Sequence, residues 1–138
     1  EGVIIQEMVK SDREMVCGCA KDPQYGQMMM FGLGGVFVEV MKDVTFRLAP
    51  LTVEDASDMI HSVKAYKLLA GARGAVPAQM NKVEETLLRL SQLVEDFAFI
   101  DELDINPLMI SGKDGEPIAV DGRIKFNATE ALVALSIA

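Results

Sequence analysis

Glu102-Leu103-Asp104-Ile105-Asn106-Pro107-Leu108 alternates polar and apolar residues up to its proline. In an extended chain successive side chains point to opposite faces, so Leu103 and Ile105 share one face while Glu102, Asp104 and Asn106 share the other. Pro117-Ile118-Ala119-Val120-Asp121 is a second strand-like run, and Gly112-Lys113-Asp114-Gly115 between them is a turn signal. A hairpin folded about Lys113-Asp114 opposes positions whose numbers sum to 227. Residue 106 then lies across from residue 121, with Cβ atoms ~5 Å apart.

Upstream, residues 52–97 carry a helical period. Thr52 with Asp55 makes a capping box that uses the shorter acid, and Ala56, Met59, Ile60 and Val63 then line one face. Leu68-Leu69-Ala70-Gly71 reads as a short helix stopped by glycine. Pro77, favoured in a first turn, announces the longest helix. Along it Met80, Val83, Leu87, Leu90, Val94 and Phe97 recur at steps of three and four. That stripe is too short for a coiled-coil seam and is read as a face packed on a sheet. Strands are expected at 3–8, 14–20, 27–40, 45–49, 100–106 and 117–121, with turns at Lys10-Ser11-Asp12-Arg13 and Asp22-Pro23-Gln24-Tyr25-Gly26. Strand period at both ends and helical period between them predict an α+β fold, a mainly antiparallel sheet with the helices of 53–97 packed on it.

The 138 residues make one domain, long enough to bury a core without disulfides or metal staples. Half are hydrophobic and a quarter charged, which excludes a disordered tail. No apolar run approaches a membrane span and no basic-then-apolar leader opens the chain. A net charge of −8, with Lys and Arg scattered singly and no Trp, argues against a nucleic-acid surface. Cys17 and Cys19 lack the further ligands a zinc site needs and read as buried small hydrophobes. As free thiols they fit a reducing, cytoplasmic compartment. His61, the only histidine, falls in a helical pattern and reads as a surface or capping residue. The nine methionines read mostly as core filler.

The hairpin's polar face holds an Asn carbonyl beside an Asp carboxylate, with Asp104 two residues from Asn106. Oxygen-only sets suit Mg²⁺, which takes one or two carboxylates and completes its shell with phosphate and water. The same alternation describes an ordinary solvated sheet face, and spacing alone leaves both readings open. Gly32-Leu33-Gly34-Gly35 is similarly double: its backbone can present N–H groups to a phosphate or bend a strand. It has neither the Walker A lysine nor a full dinucleotide fingerprint.

Six segments taken in order carry a resemblance. They are Ile5-Gln6-Glu7-Met8-Val9, Met30-Phe31-Gly32-Leu33-Gly34-Gly35-Val36-Phe37-Val38-Glu39-Val40, Phe46-Arg47-Leu48-Ala49-Pro50-Leu51, Ser91-Gln92-Leu93-Val94-Glu95-Asp96-Phe97, Glu102 to Leu108, and Val120-Asp121-Gly122-Arg123. Together they resemble the ATP-grasp portion of the nucleoside-diphosphate-forming acyl-CoA synthetases, relatives of the succinyl-CoA synthetase β subunit, from residue 2 to about 126.

The resemblance implies the C-terminal part of an ATP-grasp domain, with Gln6, Glu7 and Met8 at the hinge that holds adenine and Glu14 near the nucleotide. It implies Asn106 and Asp121 as Mg²⁺ ligands, and Asp104 as the acid facing a phosphohistidine, shorter than the family's glutamate. Gly34 and Gly35 match the glycine pair beside phosphate transfer, where their backbone would position the phosphate oxygens. The implied chemistry moves a phosphoryl group between ATP or ADP and a histidine on a CoA-binding partner subunit or domain. That phosphate then drives acyl-CoA formation from a small carboxylic acid and CoA. The lobe carrying the phosphate-covering loop and its lysine is expected before residue 1, so the chain reads as a fragment, inactive alone. A non-catalytic synthetase-like regulatory domain fused to a protein acetyltransferase is the alternative reading, and a structural interaction module a third.

Overall fold

A computed structural model describes residues 2–11, 13–35 and 42–137. Its strands are β1 (Glu14–Asp22), β2 (Gly26–Leu33), β3 (Val44–Leu48), β4 (Ile100–Ile110), β5 (Pro117–Ala119) and β6 (Gly122–Phe126). Its helices are α1 (Val53–Ser62), α2 (Tyr66–Leu69), α3 (Met80–Asp96) and α4 (Ala128–Ile137), with a 3₁₀ turn at Ala72–Gly74. The sheet runs β3-β2-β1-β4-β5, with β6 also on β4, and every pairing is antiparallel. This is the α+β architecture that the periodicities predict.

The helices cover one face only. Met15, Cys17, Cys19, Met29, Phe31, Leu103, Leu108 and Ile110 point from the sheet into a core closed by Ala56, Met59, Ile60, Leu69, Val83, Leu87, Leu90 and Val94. Thr52 Oγ1 accepts from Asp55 N–H at 3.1 Å, and the Asp55 carboxylate accepts Thr52 N–H at 3.0 Å, completing the capping box that starts α1. The α3 stripe is buried from Val83 to Val94. Phe97, past the helix end, is exposed. Pro77 lies before the helix, which begins at Met80. No helix among the described residues is long and apolar enough to cross a membrane.

Three differences have local causes. Residues 3–8 form no strand: Val3, Ile4, Ile5 and Met8 are 84–92% exposed, and among the described residues no strand pairs with them. Beyond Leu33 the expected strand of 27–40 stops at the glycine turn, and residues 36–41 lie outside the described residues. Downstream, pairing on β4 continues past residue 121 as β6, and α4 follows. The α4 sequence is mostly apolar without a helical period, so its amphipathic signal is absent. Its cap was readable, since Asn127 Oδ1 accepts Thr129 N–H at 3.1 Å and Glu130 N–H at 3.3 Å.

Candidate functional site

Val120-Asp121 turns the chain from β5 into β6 and is clipped to β4 by two backbone bonds. Val120 N–H donates to Pro107 O at 3.2 Å, and Asn106 N–H donates to Asp121 O at 3.1 Å. Leu108 faces Ala119 and Ile105 faces Gly122, so one register, summing to 227, runs through the corner. Residue 106 therefore lies opposite residue 121, as the turn and the alternation together require. On the β1 side the same stretch bulges, for the pairing steps from Met15↔Leu108 to Cys17↔Ile105.

The glycine turn closes on this corner from the other side. Gly35 N–H donates to Asn106 Oδ1 at 3.1 Å, and Gly34 N–H donates to Glu14 O at 2.8 Å. A methyl on Gly34 would stand 3.0 Å from Met15 Cα, so the turn lies directly on β1. Gly35 has φ +64°, and a Cβ there would meet the Glu14 carboxylate, whose Cδ is 3.3 Å away. Three distant parts of the sequence thus bring Glu14, Gly34, Gly35, Asn106 and Asp121 together. Both glycine N–H groups are committed to Glu14 and Asn106, so here the pair holds those residues in place and cradles nothing else.

Asp104 sits two pairs further along, opposite Arg123. Its Oδ1 is 3.3 Å from Arg123 Nε, while Glu102 meets Arg123 Nη2 at 3.6 Å and Lys125 Nζ at 3.2 Å. The helix-free face continues across the sheet in two rows. One runs Phe46, Met30, Gly18, Asp104, Arg123, the other Leu48, Met28, Ala20, Glu102, Lys125. A groove of about 190 Å³ opens over them, walled by Met28, Met30, Phe46, Glu102 and Asp104 among others. This apolar floor was missed in the sequence, where three methionines in a row show no period. Met29 and Phe31 are fully buried, so alternation was the available signal.

The remaining candidates stand apart. Among the described residues no hydrogen bond or ion pair joins Gln6, Glu7 or Met8, in the exposed segment before β1, to the Asn106 corner. His61 is exposed on α1, its Nδ1 2.8 Å from Ser57 O and its ring against Tyr66. Burial pushes the Cys17 thiol up to about 12 and the Cys19 thiol up to about 11, which suits core residues and not nucleophiles. Among the described residues no group of three or more His, Cys, Asp or Glu could hold a metal. Mg²⁺ does not need one, since one or two protein oxygens and substrate phosphates satisfy it. Asn106 Oδ1 keeps a second lone pair beyond the one Gly35 uses, and Asp121 across from it is an exposed carboxylate. The donor set fits.

The family model of the ATP-grasp domain matches residues 1–126. The chain belongs to the ATP-grasp family. Its relatives are ADP-forming acyl-CoA ligases. The domain is 48% identical over 124 residues to the acetate–CoA ligase [ADP-forming] II subunit beta of Pyrococcus furiosus, covering 89% of this chain and 52% of that one. It is also 48% identical over 124 residues to the 4-hydroxybutyrate–CoA ligase [ADP-forming] of Nitrosopumilus maritimus, covering 90% of this chain and 18% of that one. The ATP-grasp domain therefore spans about half the β subunit and under a fifth of the longer ligase. Among solved structures, the apo acetyl-coenzyme A synthetase 1 of Ca. Korarchaeum cryptofilum superposes with a TM-score of 0.80 at 41% identity, over 88% of this chain and 57% of that one. The same enzyme was crystallised with coenzyme A and Mg-AMPPCP, its phosphohistidine segment pointing towards the nucleotide binding site. That form matches with a TM-score of 0.78 at 42% identity, over 83% of this chain and 53% of that one.

Proposed function

We propose that this ATP-grasp domain is the metal- and phosphate-holding part of an ADP-forming acyl-CoA ligase. In that enzyme a phosphoryl group passes between ATP and a histidine of a partner subunit or domain, then drives the joining of a small carboxylic acid to CoA. The observation that carries this reading is the Asn106 corner, where an amide oxygen fixed by Gly35 N–H faces Asp121 across one register. Phosphoryl transfer asks a protein for positioning and charge more than covalent work. Gly34 and Gly35 hold Glu14 and Asn106 at fixed distance, so the metal-binding oxygen is set before a ligand arrives. Asn106 and Asp121 would hold Mg²⁺, which when bound supplies charge neutralisation at the phosphate oxygens. The open face floored by Met28, Met30 and Phe46 takes the nucleotide, with the 6–8 segment reading the adenine edge through backbone atoms. The buried, unpaired thiols support a cytoplasmic setting.

The test uses the full-length protein with its partner. Histidine phosphorylation from ATP is followed as magnesium is titrated, for wild type and Asp121→Asn. The substitution keeps shape and removes one charge from an exposed position, so folding stability should stay within ~0.5 kcal/mol. Phosphorylation should fall at least ~tenfold. Normal phosphorylation with unchanged magnesium dependence would remove this pair as the metal site.

A further inference from the structure

Arg123 is 74% exposed, yet its guanidinium lies between two acids, 3.3 Å from Asp104 and 3.6 Å from Glu102. Exposed pairs of this kind contribute at most ~1 kcal/mol to folding, so stability gives this arrangement little value. Its place is more telling. Arg123 pairs with Asp104, and the next pair along, Gly122 with Ile105, adjoins the Asn106–Asp121 corner. Glu14, Glu102, Asp104 and Asp121 make this end of the open face rich in carboxylates, on a chain of net charge −8. A phosphoryl group arriving there meets repulsion unless a fixed cation receives it. A guanidinium offers five N–H donors in a fork that matches phosphoryl oxygens.

Resting on the phosphoryl-transfer reading above and on the resemblance that faces Asp104 to the phosphohistidine, we infer that Arg123, beside that acid, is a catalytic residue that receives the phosphoryl group. A phosphorylated imidazole presents an N–H on one ring nitrogen and a doubly charged phosphoryl group on the other. Asp104 accepts that N–H, and Arg123 donates to the phosphoryl oxygens. The acid and the guanidinium, already in contact, have the two complementary signs such a ring requires. In the transfer from ATP, the bond from phosphorus to the bridging oxygen breaks and its electron pair leaves on ADP. The imidazole lone pair forms the new P–N bond, and the ring keeps its N–H as an imidazolium facing Asp104. Arg123 keeps its protons throughout.

The full-length protein with its partner, ATP and Mg²⁺ tests this through Arg123→Gln, Arg123→Lys and, as a charge control, Lys125→Gln. The rate of histidine phosphorylation at saturating ATP should drop at least ~tenfold in Arg123→Gln, with nucleotide affinity and melting temperature held, and Arg123→Lys should recover part of it. Lys125→Gln should stay within ~twofold, because among the described residues Lys125 is ion-paired to Glu102 and not to Asp104. Added guanidinium ion should restore rate to Arg123→Gln. Wild-type rate in Arg123→Gln, or equal losses in Arg123→Gln and Lys125→Gln, overturns the inference and leaves the phosphoryl-transfer reading standing. Should Arg123→Gln fail to fold, Arg123→Lys decides, and an undiminished rate there with lysine's different geometry counts against it. A wild-type protein that never phosphorylates the histidine overturns the underlying reading instead.

Discussion

Replacing Gly18 by alanine sets two physical expectations against each other. A glycine inside a strand is entropically costly, so alanine there should stabilise by ~0.5–1 kcal/mol. Gly18 lies in β1 between Met30 and Asp104, and the neighbouring backbone leaves no room for a methyl. The added Cβ would run into Leu103 O and stand 2.9 Å from Asp104 Cα and 3.1 Å from Leu103 C, where ordinary contact begins at 3.4 Å. All three are main-chain atoms of β4, so no rotamer change relieves them, and β1 and β4 must part locally by up to ~1 Å. Two weakened ladder bonds at ~1 kcal/mol each, with an overpacking cost of ~1–3 kcal/mol, outweigh the entropic gain. The net expectation is a loss of ~2–4 kcal/mol, read from urea unfolding by far-ultraviolet circular dichroism, with faster amide exchange at Leu103 and Asp104. A Gly18→Ala chain as stable as wild type, or more so, would refute the reasoning, because only the sign separates the two accounts.

Two further outcomes follow from the core. Leu87 is fully buried, whereas Leu90 borders a groove of about 260 Å³ shared with Leu93 and Ile124, so part of the space a truncation leaves is already open. Leu87→Ala should cost ~4 kcal/mol and Leu90→Ala nearer ~2 kcal/mol by chemical denaturation, and equal losses would show that the groove does not matter. The raised thiols make a pH prediction. Burial favours the neutral thiol in the fold, so its stabilisation is complete below pH 9 and is lost as pH rises toward about 11 and about 12. Urea midpoints should fall from pH 8 to pH 10, less so in Cys17→Ala, and iodoacetamide at pH 8 should label neither cysteine until denaturant is added; native labelling would contradict the burial.

The hairpin was legible because two independent signals agreed. The Gly112–Gly115 turn set the fold point, and the alternation from Glu102 to Asn106 set the face, which leaves one register. The capping box at Thr52 and the α3 stripe were legible for the same reason, being local. What escaped was non-local. Val3 to Met8 has strand composition, but a strand exists only through its neighbour. The glycine turn's choice of Asn106 and Glu14 as acceptors depends on β1 lying between β2 and β4, which no spacing in the sequence reports. The apolar floor was hidden because Met28, Met29 and Met30 look alike, although the pleat sends Met29 into the core and its neighbours to the open side.

The bulge at Asn106-Pro107 makes β4 a strand written in two reading frames. From Leu103 to Ile105 the odd-numbered residues point inward; from Leu108 the even-numbered ones do, with Leu108 and Ile110 buried. Deleting a single residue at this seam would not merely shorten the strand. It would close the bulge and restore plain alternation, leaving Ile105, Leu108 and Ile110 inward, but Leu108–Ala119 and Ile105–Gly122 could no longer both be kept, and the Asn106–Asp121 corner would be lost. The spacing between Asp104 and Leu108 is therefore set by the outer strands and not by the core, and a deletion at this seam should cost the Asn106 corner while the buried face survives.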